Sequence, residues 1–518
     1  MKRLFPLLAL VTAPLLALAQ TTVPAPASTS SPAPVPDKKP AAAVPPAKPK
    51  IDPFPAPAEV IAAMKKAALY YRNKASVVGG YGFSVPKDLS TSRAENRESP
   101  TMVSIQPPGT PSVGLALLMA FKVTKDLLFQ QAAREAAQSL LWCQLASGGW
   151  ESEYDYNPAV ARRYHYRRDM EASDTERGGR HGSSTLDDGK TEAALLFLLE
   201  MAHTPEFAQD EELQRGVKFG FDGLLAAQEK CGAWGQSFDG PADASAPVVK
   251  ARLPAQWSRT FPAVDYTKFY TLNDGNLLQT TRLLLRAYEL TKEARYLDAA
   301  KRVGDFHLLA QLPAPQPAWA QQYNRNMEPV WARKFEPPAV SSAESIEALE
   351  TLLELWVATG EAKYREPMAA AIAWLDKVKL PDGQWARFYE LATDKPLYCK
   401  AKTYEVTYDD SDLPTHYGFK LDELGEDLEM LKKKLAMSRE ELQHAKAEPT
   451  EPKKWASKAK GAAKKVVTAL ENLNPKGYWS KDNQIDMGEF VKHMRALVFY
   501  LEGAQKGGAF FEALREKK

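Results

Sequence analysis

Hydrophobic residues recur at helical spacing along most of the chain. In the first such stretch, Val60, Ile61, Met64, Ala68 and Leu69 follow one helix face. Further amphipathic stretches occupy residues 112–120, 126–143, 190–203, 208–229, 276–290, 294–311, 343–359 and 363–378. Because most of these stretches come in closely spaced pairs, the pattern predicts an all-α chain built from helical hairpins.

Two short motifs repeat at nearly the same interval as the hairpins. Thr-Leu-x-Asp-Gly occurs at 185–189 and again at 271–275. Trp150, Trp234 and Trp319 are separated by 84 and 85 residues, and each is followed four positions later by an aromatic residue. A repeat of this length that holds two helices and an aromatic loop is typical of stacked or ring-closed helix pairs. We therefore predict an (α/α)3 toroid, or incomplete barrel of helical hairpins, with a C-terminal helical extension and its loops on one rim.

Composition divides the chain into four segments. Residues 1–19 have the charged start, apolar run and small-residue end of a secretory signal peptide, and the run is too short to span a membrane. Residues 20–57 are rich in Pro and Ala and poor in large apolar residues, which predicts a disordered linker. Residues 58–420 hold the repeats, and 421–518 form a helical extension that completes or flanks the toroid. We expect a secreted or periplasmic protein.

Charge and cysteine content narrow the range of partners. The formal net charge of +2 over 518 residues gives no electrostatic reason to expect nucleic acid or a membrane surface as a partner. Residues 421–447 read as one charged helix with too few heptads for a coiled coil, so we expect a monomer. Cys143, Cys231 and Cys399 are not spaced for zinc; a Cys143–Cys231 disulfide and buried free thiols both remain open.

Three aspartates lie where predicted helices begin. Asp188 and Asp274 could simply cap those helices, but Asp187 stands beside Asp188 and no cap requires it. Carboxylates that converge from repeated loops form a set of hard oxygen ligands suited to Ca²⁺. The same acids could instead form the acid and base pair of an inverting glycosidase.

Tryptophan loops are the second candidate for a ligand site. Trp234, Trp319, Trp331 and Trp385 could pin their loops by burying the rings, or they could line a ligand groove. The polar insertion at 162–180 is either a flexible loop or a lid that contacts a polyanion.

Arginine stands two positions after tryptophan in two of these loops. Arg333 and Arg387 belong to two copies of Trp-Ala-Arg. Guanidinium groups beside aromatic rings suit a polymer of sugar carboxylates, because they offer planar bidentate contacts. The alternative is that the two arginines brace their loops against Glu336 and Glu390, three residues downstream in each copy.

The repeated motifs also carry a family resemblance. TLDDGKT, CGAWGQSF, YTLNDG, PAWAQQY, VWARKFEPPA and GQWARFYELATDKPLY resemble the pectate lyases of polysaccharide lyase family ten, over about residues 60–420. The resemblance implies an (α/α)3 toroid that cleaves polygalacturonate by Ca²⁺-assisted β-elimination. It implies functional carboxylates at Asp187 and Asp274, an arginine base at Arg333 and a substrate-binding arginine at Arg387.

One position departs from the family pattern. The second substrate arginine of the family corresponds to Ala401, between Lys400 and Lys402. Either lysine could contact substrate in its place, but an ammonium group cannot make the planar bidentate contact of a guanidinium.

These patterns predict a secreted lyase that acts on an acidic uronate polymer. β-Elimination removes the C5 proton beside a uronate carboxylate, and a cation on that carboxylate stabilises the developing negative charge. Basic Trp-Ala-Arg loops fit an acidic polymer better than a neutral glycan. The alternatives are a non-catalytic exported uronan-binding protein and an (α/α) glycoside hydrolase with an Asp/Glu acid–base pair.

Overall fold

Helices make up most of the ordered backbone in residues 51–516, the part of the chain that the computed structural model describes. The signal peptide predicted at 1–19 and most of the predicted linker lie outside the described residues. The helices are α1 Pro57–Tyr70, α2 Thr110–Thr124, α3 Leu127–Cys143, α4 Pro158–Ala161, α5 Arg167–Glu171, α6 Lys190–Ala202, α7 Glu211–Ala226, α8 Asn276–Thr291, α9 Ala294–Ala310, α10 Ser342–Thr359, α11 Met368–Lys377, α12 Leu424–Leu435, α13 Arg439–Lys446, α14 Pro452–Asn472, α15 Met487–Gly507 and α16 Ala509–Glu516.

The long helices form two concentric rows. Helices α15, α2, α6, α8, α10 and α12 pack against one another in that order, and the other row includes α14, α1, α3, α7, α9 and α11. The side chains of the first row are buried over most of their circumference, as α2 and α6 show. The predicted all-α (α/α)3 toroid, an incomplete barrel of helical hairpins with C-terminal helices, is confirmed.

Short antiparallel strand pairs join one hairpin to the next along a rim. Each pair links the residues just before a helix of the first row to the residues just after an aromatic turn. The pairs are Met102–Ser104 with Glu153–Asp155, Ser184–Thr185 with Ser237–Phe238, Tyr270–Thr271 with Gln322–Tyr323, Val340–Ser341 with Phe388–Tyr389, and Ser84–Val85 with Gln484–Asp486. The remaining strands are Ser92–Arg93, Glu98–Ser99, Trp385–Ala386, Pro396–Cys399, Val406–Thr407, Lys420–Leu421 and Ser480–Lys481.

Each tryptophan turn closes the helix that precedes it. The indole Nε1–H donates to a backbone carbonyl in the last turns of that helix, where carbonyl groups run short of backbone donors. The bonds are Trp150 to Leu140 (2.9 Å), Trp234 to Leu224 (2.8 Å), Trp319 to His307 (2.9 Å), Trp385 to Leu375 (2.7 Å) and Trp479 to Ala469 (2.8 Å). Since Trp479 lies between α14 and α15, these two helices repeat the same hairpin unit.

The two ends of the described chain meet at this last hairpin. The Met487 amide donates to the Phe83 carbonyl at 3.0 Å, and the Tyr71 hydroxyl donates to the Trp479 carbonyl at 3.1 Å. Helix α15 also packs on both α1 and α2. Residues 51–516 consequently belong to one compact unit.

The sequence interpretation of residues 421–447 as a single helix is wrong. The structure breaks it into α12 and α13 around Ser438. The Glu441 amide donates to the Ser438 hydroxyl at 3.1 Å, and the Ser438 amide donates to the Glu441 carboxylate at 2.7 Å. This reciprocal capping box starts a new helix and explains the break.

Two further features bear on the compartment and the covalent framework. Cys143, Cys231 and Cys399 are all buried free thiols, so no disulfide joins Cys143 to Cys231. In residues 51–516, none of the helices combines the length and apolar character that a membrane crossing requires.

One carboxyl group is buried between two helices of the first row. Glu192 of α6 is 3% exposed and accepts a hydrogen bond of 2.9 Å from the Thr280 hydroxyl of α8. Its other oxygen, Oε2, has no partner among the described residues. Burial raises the pKa of Glu192 from 4.5 to about 8.

We expect Glu192→Gln to flatten the pH dependence of stability near neutrality. Between about pH 4.5 and pH 8 the unfolded chain ionises at Glu192 while the folded chain keeps the proton, so stability falls as the pH rises. The melting temperature of Glu192→Gln should therefore fall less between pH 5 and pH 8 than that of the unaltered protein.

The matched control is Glu200→Gln on the same helix. Burial opposes ionisation of Glu200, but hydrogen bonds from Arg286 and Lys122 outweigh it and lower the pKa of this carboxyl. Its contribution is lost as the pH falls through the acidic range, so Glu200→Gln should lower stability at neutral pH and flatten the pH dependence of stability only at acidic pH, leaving the slope between pH 5 and pH 8 unchanged. An unchanged slope for Glu192→Gln between pH 5 and pH 8 would show that this carboxyl is ionised in the fold.

Candidate active site

The two Thr-Leu-x-Asp-Gly turns adopt the same backbone conformation. Asp188 and Asp274 have φ of 51° and 54°, and the following Gly189 and Gly275 both have φ of 68°. The two glycines occupy the capping positions of α6 and α8, and no side chain caps either helix. The interpretation of the aspartates as helix caps is therefore wrong, and their carboxylates are turned to other partners.

Asp187 and Asp188 share a buried lysine. The Lys190 ammonium lies 2.7 Å from Asp187 Oδ2 and 3.5 Å from Asp188 Oδ2, and its side chain is 2% exposed. Burial alone would lower the pKa of Lys190, but the two carboxylates outweigh it and raise that pKa. Gln236 donates to Asp187 Oδ1, and Gln106 donates to Asp188 Oδ2 at 3.0 Å.

Asp274 completes this carboxylate cluster from the second turn. Burial, and after it the charges of Asp188 and Asp187, raise the pKa of Asp274 to about 7. Asn273 donates to its Oδ2. At neutral pH, Asp274 therefore carries a proton part of the time, because burial and the neighbouring carboxylates both disfavour its ionised form.

Two glutamates at the start of α10 add to the same cluster. The Gly275 amide donates to Glu347 Oε2 at 3.0 Å. Burial raises the pKa of Glu347, and Glu344 and Asp274 raise it further. The starts of α6, α8 and α10 thus bring acidic groups to one place on the rim.

Both candidate arginines border the acidic cluster. Arg333 makes a two-pronged ion pair with Glu336, whereas Arg387 donates to the Gly418 carbonyl at 2.9 Å and lies 3.4 Å from Glu344. Burial lowers the pKa of Arg387, but Glu344 and other groups that include Asp274 outweigh it and raise that pKa. The structure therefore places Arg387 within electrostatic reach of Asp274.

Of the two predicted bracing pairs, only one forms. Arg333 pairs with Glu336, but Glu390 is taken by Arg259 and by the Tyr408 hydroxyl, so it does not hold Arg387. Of the two arginines, Arg387 is consequently the more loosely held, by the Gly418 carbonyl and by the long contact to Glu344.

Tyr417 is a member of the site that sequence reasoning missed. The Arg333 and Arg387 guanidinium carbons lie 5.6 Å and 4.9 Å from the centre of its ring, and its hydroxyl donates to Glu336 at 2.9 Å. Tyr417 lies outside the repeated motifs, so no periodic signal could have indicated it. Lys190, by contrast, stands within the first aspartate motif.

The tryptophans that were candidates for substrate contacts are buried. Trp234, Trp319 and Trp385 are 0–2% exposed, and each indole N–H is bound to a helix carbonyl. Trp331 is 5% exposed and donates to the Ser258 carbonyl at 2.8 Å. Trp234, Trp319 and Trp385 therefore pin their loops and have no ring face open to a ligand, whereas the ring of Trp331 packs against Trp257 and Phe261 at the edge of a small cavity.

The two lysines beside Ala401 lie in an exposed turn. Lys400 pairs with Glu405 at 2.7 Å between the strands Pro396–Cys399 and Val406–Thr407. Lys402 is exposed in the same turn. Among the described residues, neither lysine contacts Arg333 or Arg387.

The donor set of the cluster fits a hard divalent cation in its chemistry. Asp187, Asp188 and Asp274 offer carboxylate oxygens, the ligands that Ca²⁺ prefers. Burial and the charges of Asp188 and Asp187 raise the pKa of Asp274, and a cation at this place would lower it again. As the side chains stand in residues 51–516, however, no three His, Cys, Asp or Glu residues are grouped closely enough to hold a metal ion.

The central part of the chain matches a known family. Residues 159–384 match the family described as pectic acid lyase. The resemblance to pectate lyases is confirmed. The matched segment contains both aspartate turns and Arg333, and it ends three residues before Arg387. No curated protein matches this chain.

Several solved structures share a distant likeness. A family 10 polysaccharide lyase from Cellvibrio cellulosa has 19% identity and a TM-score of 0.42, covering 62% of this chain and 96% of its own. A variant of a family 10 lyase from the same organism, in complex with trigalacturonic acid, has 18% identity and a TM-score of 0.42, with 62% and 98% covered. A D-mannose isomerase has 13% identity and a TM-score of 0.42, with 86% and 98% covered. Likenesses this distant have no bearing on the chemistry of the site.

We expect Trp234→Phe to weaken the fold and leave the site unchanged. The substitution keeps a buried ring but removes the N–H that bonds to the Leu224 carbonyl, which should cost about 1–3 kcal/mol of unfolding free energy. Denaturant unfolding measures this loss. Affinity for polygalacturonate per folded molecule should not change, and a selective loss of affinity would return Trp234 to the substrate contacts.

Proposed function

We propose that this protein is a secreted or periplasmic polysaccharide lyase that cleaves an acidic uronate polymer by β-elimination. The observation that carries the proposal is the meeting of Arg333 and Arg387 around Tyr417, beside the carboxylate cluster of Asp187, Asp188 and Asp274. The match to pectic acid lyases supports the same reaction class. The substrate class is that of polygalacturonate.

Arg387 is proposed to hold the uronate carboxylate of the substrate. Its guanidinium is mostly buried, with the side chain 20% exposed, and its contact to Glu344 at 3.4 Å is long for an ion pair. A substrate carboxylate can therefore compete for its N–H donors. A planar bidentate contact would orient the sugar so that the C5 proton faces Arg333.

Arg333 is proposed to remove the C5 proton. Its side chain is 39% exposed, so it is open to a ligand on one side while Glu336 fixes the other. Burial alone would lower the pKa of Arg333, but the ion pair with Glu336 outweighs it and raises that pKa. Proton removal needs the neutral guanidine, so the reaction is expected to be fastest at alkaline pH.

Ca²⁺ is proposed as the cofactor of the carboxylate cluster. Asp187, Asp188 and Asp274 would hold it. When bound, the ion would neutralise the substrate carboxylate and make the C5 proton more acidic. Lys190 occupies the space between Asp187 and Asp188, so it competes with any other cation for these oxygens.

We expect Lys190→Met to bind Ca²⁺ more tightly than the unaltered protein. Removing the competing ammonium frees the oxygens of Asp187 and Asp188, and the gain should be at least about tenfold in Kd. Titration calorimetry of the full chain measures it. Lys122→Met, which removes a lysine paired with Glu200 instead, is the control and should leave Kd unchanged. Equal Kd values for all three proteins would contradict the assignment of the cation to this cluster.

We expect Arg333→Ala and Arg387→Lys to affect different kinetic constants. Loss of the base should reduce kcat by about 10²–10⁴, with binding largely retained. Arg387→Lys keeps the positive charge but loses the planar bidentate contact of the guanidinium, so it should mainly raise KM. The assay is the ultraviolet absorbance of the unsaturated product formed from polygalacturonate in the presence of Ca²⁺.

The pH profile distinguishes two candidate bases. With Arg333 as the base, kcat should rise about tenfold per pH unit over the accessible range, because the neutral guanidine remains a small fraction. If kcat instead reached a plateau above about pH 7, the group that removes the C5 proton would be Asp274, whose pKa lies there. Near-normal turnover in Arg333→Ala would also rule out the arginine.

A glycoside hydrolase is the second candidate, and the raised pKa of Asp274 favours it. A carboxyl group that keeps its proton near pH 7 is suited to general acid catalysis of glycosidic cleavage. Hydrolysis would produce new reducing ends without ultraviolet absorbance. Binding of polygalacturonate without either signal would indicate a non-catalytic uronan-binding protein.

A further inference from the structure

A cavity lies at the polar insertion of residues 162–180, outside the carboxylate cluster. It has a volume of about 360 Å³, and we call it the arginine groove. Its lining includes Trp142, Tyr156, Tyr164, Arg162 and Arg168. None of the aspartates or arginines assigned to the candidate active site lines it. The insertion therefore shares this cavity with the end of α3 and the segment that follows it.

Arg168 is held in the groove by aromatic rings. Its guanidinium carbon lies 3.8 Å from the centre of the Tyr166 ring and 4.4 Å from that of Trp142. Its Nη1 atom is buried and has no hydrogen-bond partner among the described residues. The Nη1 atom has thus lost water without gaining an acceptor, which is unfavourable unless a ligand supplies one.

The neighbouring arginine shows that pairing is available in this insertion. Arg167 is almost fully buried and makes ion pairs with Glu171 and Glu212. In residues 51–516, no carboxylate makes such a pair with Arg168. The difference between adjacent positions indicates that Arg168 is not simply a brace for the loop.

The charge in the groove is positive. The carboxylate that lines it, Asp169, is 3.4 Å from Arg180, and Arg180 also pairs with Asp174 at 2.8 Å. Arg162 donates only to the Pro158 carbonyl, at 3.0 Å. Arg162 and Arg168 are therefore left without carboxylate partners in the described residues, so an anion fits the groove.

An open aromatic face completes the groove. Trp142 is 53% exposed although its N–H is already bound to the Tyr154 hydroxyl at 3.1 Å. This differs from the tryptophans of the helix turns, whose rings are buried. Arg168 covers one face of the indole, so the rest of the exposed ring is the apolar surface that a ligand can contact.

We propose that the arginine groove is an additional binding site for an acidic saccharide of the uronate class. Arg168 and Arg162 would donate to a sugar carboxylate, and the face of a sugar ring would stack on Trp142. The identity of the saccharide rests on the proposed function. Such a site would hold a polymer at a second point, which raises the affinity for long chains over short ones.

The test compares long and short ligands in the full chain. Arg168→Met keeps the apolar stem but removes the donors, and Trp142→Ala removes the stacking face. Each should weaken binding of polygalacturonate about tenfold, the loss of roughly one charge-assisted hydrogen bond or stacked ring. The kcat on trigalacturonate should stay unchanged. Titration calorimetry measures the affinities, and the melting temperature shows whether each variant is folded.

Arg163→Met is the matched control. Arg163 belongs to the same insertion and is exposed, but it does not line the groove. An equal loss of affinity in Arg163→Met would show nonspecific attraction and overturn the proposal. Unchanged affinity in both groove variants would overturn it, as would no binding of polygalacturonate by the unaltered protein or equal binding of a neutral galactan.

Failure of this inference is separable from failure of the proposed function. If no unsaturated product forms but affinity for polygalacturonate still depends on Arg168 and Trp142, the binding site in the groove is supported and the lyase assignment is contradicted. If unsaturated product forms and the groove variants bind polygalacturonate normally, the lyase assignment is supported and the binding site in the groove is contradicted. If Arg168→Met does not fold, Trp142→Ala alone decides, because its exposed ring contributes less to the core.

Discussion

The hydrogen bond from each tryptophan indole to the end of the preceding helix is the constraint on which the ring depends. It fixes where one helix stops, and the strand pair just after the tryptophan fixes where a neighbouring helix starts. Repetition of this unit sets every helix of the first row at the same height. The loops between the helices therefore gather on one rim, and any charged groups they carry must meet there.

The rim brings together more carboxyl groups than the basic side chains around it neutralise. Asp187 and Asp188 share Lys190. In the described residues no lysine or arginine makes an ion pair with Asp274, and the pKa of Asp274 rises to about 7. An excess of buried negative charge is unfavourable for folding and favourable for a cation or a proton. The left-handed conformation shared by Asp188 and Asp274 indicates that the fold holds these side chains in place without using them as caps.

Arginines in this protein divide according to their partners. Arg167 and Arg333 each make a close ion pair with a carboxylate, which fixes the position of the guanidinium group. In residues 51–516, Arg168 pairs with no carboxylate and Arg387 has only the long contact to Glu344, and both lie against aromatic rings. Guanidinium groups of the second kind have donors to offer, so both proposed contacts with an acidic saccharide fall on them.

The sequence by itself determined the helical hairpins and the rim position of the aspartates, because both follow from periodicity and repeat length. It could not decide that Trp234 and its counterparts are buried, since an aromatic residue suits a core and a groove equally. Nor could it place Tyr417 between Arg333 and Arg387, or leave Arg168 unpaired beside a paired Arg167. Those arrangements join residues distant in the chain, and only tertiary packing decides which partners come within reach.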